Sequence, residues 1–76
     1  MNPLLAIHAK SIRFYYKVEK SPDREIFDLH ASDEVPGFYR CYDIDGNFHL
    51  VDKNSIDVHY VNHQDKQFKI PLALAI

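Results

Sequence analysis

The chain has 76 residues, 46% of them hydrophobic and 13% aromatic, with a formal net charge of −2. That length holds one core, so residues 1–76 read as a single small domain, and the apolar content excludes a disordered chain. A sequence pI near 6.2 argues against a protein built mainly to coat nucleic acid.

The single cysteine, Cys41, forms no intrachain disulfide framework, so a reducing compartment, the cytoplasm, is the expected location. Segment 1–10 lacks a basic run before its short apolar stretch, so no signal peptide is expected. No run approaches the roughly 20 apolar residues of a membrane span, so no membrane partner is expected. Charge is unevenly placed. Residues 1–22 carry Lys10, Arg13, Lys17 and Lys20 against Glu19, a net +3, whereas 23–57 hold nine acids against Arg24, Arg40 and Lys53, a net −6.

In chain order, 11–19 alternates Ile12, Phe14, Tyr16 and Val18 with Arg13, Tyr15, Lys17 and Glu19, the period of a half-buried strand. Residues 20–24 carry Pro-Asp turn chemistry. Segment 22–30 admits two readings. It is a strand pairing back on 11–19, which the short apolar run favours, or a short helix capped by Ser21 with Pro22 in its first turn. Residues 31–37 form a loop, 38–44 a strand, Asp45-Gly46 a hairpin turn, and 47–52 the returning strand. After a turn at 53–55, Ile56, Val58 and Tyr60 mark a further strand, and 62–66 is turn-like. In 68–76, Phe68, Ile70, Leu72, Leu74 and Ile76 alternate with smaller or polar residues, which predicts a terminal apolar strand placed at an edge by Pro71. The expected fold is mostly β, a small antiparallel barrel or sandwich of five to six short strands.

No catalytic constellation is expected. Cys41 sits in Tyr39-Arg40-Cys41-Tyr42, which offers no base and reads as a small buried hydrophobe. Two glycines are too few for a phosphate-binding loop. No metal site is expected either. His59 and His63 have helical ligand spacing but lie in a strand pattern, about 13 Å apart when extended. Asp43-Ile44-Asp45-Gly46-Asn47 starts like a calcium loop but lacks its continuation, and hairpin geometry accounts for it. No cofactor is expected.

Elimination leaves a non-enzymatic protein-binding domain, such as an adaptor, regulator or stoichiometric inhibitor. Its partner would be a basic protein met by an acidic surface that includes Asp28, Asp33, Glu34, Asp43, Asp45 and Asp57. One version is an inhibitor occupying a nucleic-acid-binding protein's basic groove. The apolar edge strand offers a place for a second copy to pair, as a homodimer. The alternative is a small barrel that binds single-stranded nucleic acid through Arg13, Tyr15 and Lys17, with Tyr15 available for base stacking.

Overall fold

Alternating sequence becomes alternating structure. The computed structural model describes residues 9–75, so segment 1–8, read above for targeting signals, and Ile76 of the expected terminal strand lie outside them. Six strands form one antiparallel sheet: β1 (Ala9–Tyr16), β2 (Arg24–Ala31), β3 (Phe38–Asp43), β4 (Phe48–Asp52), β5 (Ile56–Asn62) and β6 (Gln67–Pro71). Their spatial order is β4-β3-β2-β1-β5-β6. The mostly antiparallel β reading therefore holds, and 22–30 contributes a strand rather than a helix.

The topology forces curvature. β4 and β5 are four strand positions apart, about 19 Å across a flat sheet at roughly 4.8 Å per step. Yet only the 3-10 turn Lys53–Ser55 joins them. A chain of that length in 3-10 form advances roughly 2 Å per residue, so the sheet must curl until the end of β4 returns to the start of β5. Two irregularities accommodate the bend. The β1–β5 register shifts between Ala9 and Ser11, and the β2–β3 register shifts between Phe27 and His30, where Asp28 adopts φ 56°. Bulges increase local twist, and Asp tolerates the left-handed region better than most residues. The curl does not close into a barrel, which corrects the barrel or sandwich expectation: β4 and β6 remain edges of a single sheet.

The concave side holds the core. Ile26, Cys41, Val51, Ile56 and Val58 are buried there with Leu72 and Ala75, and Ile12, Phe14, Tyr16 and Ile70 pack around them. Leu72 and Ala75 come from a helical turn, α1 (Leu72–Ala75), where a continuing strand is expected. Pro71 removes a ladder donor, and Leu and Ala have the strongest helix preferences, so the chain leaves the edge as a helix. Three-residue spacing then turns Leu72 and Ala75 inward together, while Leu74 is 74% exposed.

Two hairpins share one anchoring scheme. Asp43 Oδ1 accepts from the backbone N–H groups of Asp45 and Asn47, as Asn62 Oδ1 does from those of Gln64 and Lys66. In each, the residue three positions on has positive φ: Gly46 at 84° and Asp65 at 61°. The expected two-residue Asp45-Gly46 turn is thus a longer loop, with β3 ending at Asp43 and β4 starting at Phe48.

Candidate functional site

The sheet has a second, convex face, and its two halves differ in chemistry. On β2, β3 and β4, cross-strand register aligns Phe27 with Tyr42 and Tyr42 with Phe48, and one step along aligns Arg40 with Leu50. All four large apolar side chains in this set are open to solvent, Phe48 at 53% and Leu50 at 44%. Tyr42 and Phe48 meet edge to face with ring centroids 5.9 Å apart, and the Arg40 guanidinium lies 6.0 Å from the Phe48 centroid. These contacts hold the rings in fixed orientations. Beside them is a shallow depression of about 380 Å³, lined by Asp33, Glu34, Val35, Arg40, Phe48 and Leu50 with Ser32. The Ser32 hydroxyl accepts from the backbone N–H groups of Glu34 and Val35, which fixes the loop bearing the two acids.

The other half, on β1, β5 and β6, is polar. Register places Tyr15 beside Asp57, and Arg13 beside His59, which in turn neighbours Lys69. Tyr15 packs on the His59 ring with centroids 4.2 Å apart. Asp57 is only 2% exposed although it faces away from the core. Lys17 Nζ lies 3.4 Å from its Oδ1 and Lys69 Nζ lies 3.6 Å from its Oδ2. The residues of the nucleic-acid alternative are therefore gathered on one face, but Tyr15 has one ring face covered and Lys17 is engaged with a carboxylate.

A third polar group sits at the rim of the core. Asp43 Oδ2 is 2.8 Å from His49 Nε2 and 3.4 Å from Arg24 Nη1. The hydrogen bond from His49, helped by the two backbone N–H donors, holds the Asp43 carboxyl down at about 2. The neighbouring Cys41 is fully buried, and burial followed by the Asp43 charge pushes its thiol pKa up. That is the reverse of an activated nucleophile.

The six acids assigned to partner binding are dispersed. Asp43 and Asp57 are buried, in the β3–β4 hairpin and in β5, and present little to a partner. Asp28 is exposed in the β2 bulge, and Asp45 is exposed at the hairpin. Asp33 and Glu34 lie at the opposite end of β3, the length of a six-residue strand from Asp45, roughly 17–20 Å. Of the six, Asp33 and Glu34 line the depression beside the aromatic patch. The sequence reading did not single out Phe27, Arg40, Tyr42, Phe48 or Leu50. A signal for them existed: in 38–52 apolar residues occupy both parities of the strands, so one set must face away from the core.

No known protein family, curated protein or solved structure matches the chain. Among the described residues, no helix is long and apolar enough to cross a membrane.

Proposed function

We propose that the protein is a non-enzymatic protein-binding domain, an adaptor, regulator or inhibitor, that docks its partner on the convex face of β2, β3 and β4. The observation that carries this reading is the register-aligned set Phe27, Tyr42 and Phe48, with Leu50 beside them and Arg40 over the Phe48 ring. Contiguous exposed apolar side chains are costly on a monomer, and aromatic residues with Arg are the composition of energetic centres in protein interfaces. Pre-set rings reduce the ordering cost of binding. Asp33 and Glu34 on the rim of the depression favour a partner segment with apolar side chains next to a Lys or Arg. This keeps the expected basic partner and moves the contact surface from a broad acidic face to an aromatic one with an acidic border. The lone, buried cysteine suits a reducing compartment, and we place the protein in the cytoplasm on that ground.

The test is affinity capture from native extract after nuclease treatment, comparing wild type with Tyr42→Ala/Phe48→Ala. Tyr42 and Phe48 are 41% and 53% exposed and lie on the outer face of the sheet, so the variant is expected to keep a native circular dichroism spectrum at the assay temperature while losing a stoichiometric partner whose affinity is then measured with purified components. Equal capture by both forms, or capture that nuclease abolishes, would sink the assignment, the second result favouring the single-strand-binding alternative through Arg13, Tyr15 and Lys17.

A further inference from the structure

On the polar half of the convex face, two buried side-chain atoms have no hydrogen-bond partner among the described residues: Asp57 Oδ2 and His59 Nε2. An orphaned buried polar atom costs about 1–3 kcal/mol, and two on neighbouring side chains of one strand call for a shared cause. A third donor comes from the β1–β2 turn. One ligand atom from each of Asp23, Asp57 and His59 lies within 4.8 Å of the other two. The orphaned Asp57 Oδ2 is the oxygen that shares Lys69 with Asp23. Lys69 Nζ approaches that same oxygen at 3.6 Å and Asp23 Oδ2 at 3.9 Å, so a positive charge already rests between the two carboxylates.

We infer that Asp23, Asp57 and His59 form a binding site for a divalent transition-metal ion, Zn²⁺ being the ion of choice. One imidazole and two carboxylates are a mixed nitrogen and oxygen donor set of the kind such ions take, and three protein ligands leave a fourth position open to solvent. Tetrahedral bonds of about 2.1 Å separate ligand atoms by roughly 3.4 Å, so no pair within the 4.8 Å limit has to close by more than about 1.4 Å. Asp23 supplies the movement. Its side chain is 34% exposed in a turn, whereas Asp57 and His59 are fixed by pairing of β5 on both sides. Tyr15, tilted 35° against the His59 ring with centroids 4.2 Å apart, limits the imidazole's rotation. The competing cations are displaceable, because the Lys17 and Lys69 side chains are 51% and 55% exposed and their ammonium groups stand 3.4 Å or more from the oxygens of Asp57. The site lay beyond sequence spacing: His63, whose helical spacing from His59 makes no site in a strand, lies exposed in the β5–β6 turn, and the partners of His59 come from elsewhere.

The site is tested by titrating ZnCl₂ into the full chain, free of any histidine tag, by calorimetry, with Co²⁺ absorption reporting coordination number. The expected result is one ion per chain at micromolar affinity or better. Asp23→Asn, in an exposed turn where folding is not at stake, should weaken binding at least tenfold. Lys69→Ala, which removes the competing ammonium, should tighten it severalfold, and His63→Ala should leave it unchanged. Absence of stoichiometric binding, or binding that Asp23→Asn leaves intact in a protein with native circular dichroism, would overturn the assignment and leave Lys69 as the cation that the two carboxylates hold.

Discussion

Leu72 and Leu74 are two residues apart in an alternating apolar run, and a strand would give them equal roles. The helical turn instead buries Leu72 to 2% exposure and leaves Leu74 at 74%. Truncating Leu72 to Ala removes three buried carbons from a core that one curled sheet and this turn enclose. Buried Leu→Ala changes cost about 2–5 kcal/mol, and the lower half of that range, about 2–3, suits a four-residue turn able to settle partly into the space. Whole-domain stability at this length is roughly 4–11 kcal/mol, so one side chain governs a large share of it. At about 4–8 °C per kcal/mol, the melting temperature should fall by roughly 10–20 °C. Leu74→Ala should stay within about 0.5 kcal/mol of wild type, as exposed substitutions do. Urea unfolding followed by circular dichroism measures both variants under one set of conditions. Similar losses for the two would refute the helical turn and restore the terminal strand.

Two further outcomes follow from the Asp43 neighbourhood. Its carboxyl titrates at about 2 in the folded protein, below the ordinary 3.8, so its contribution is complete above about pH 4 and is lost as pH falls toward 2. Wild type should therefore lose melting temperature across that window more steeply than Asp43→Asn, which should already be less stable at pH 7; parallel curves between pH 4 and 2 would contradict this. Cys41, buried with a raised thiol pKa, should react with an aromatic disulfide reagent no faster than the domain opens, and rapid labelling of native protein would show that the core is not closed over it.

Much of the fold is local in origin and was legible as such. Period-two alternation in 11–19 and 56–60 marks β1 and β5 because successive side chains in a strand must point to opposite faces, although β1 itself ends at Tyr16. Turns at 45–46 and 62–66 were legible from Asp-Gly and from polar composition, since Gly tolerates positive φ; that Asp43 and Asn62 anchor them through downstream backbone N–H groups emerged only in the structure. Local pattern failed at 72–75, where Leu-Ala-Leu-Ala satisfies a period of two while its residue types prefer a helix; the pocket to be filled by Leu72 and Ala75 decided between them. It also overextended the sheet into a barrel, because strand count does not fix whether the two edges meet.

The sequence by itself determined the class of structure, most of the strands, the places where the chain turns and the inability of one cysteine to staple them, since each depends on neighbours a few residues away. Tertiary structure alone decided which acids remain available and which residues form sites. Asp43 and Asp57 look like surface charges in the sequence, yet one is spent anchoring a hairpin against His49 and Arg24 and the other lies under two lysines. Phe27, Tyr42 and Phe48 become one surface, and Asp23 meets Asp57 and His59, because strand register sets distances between segments that no spacing along the chain records.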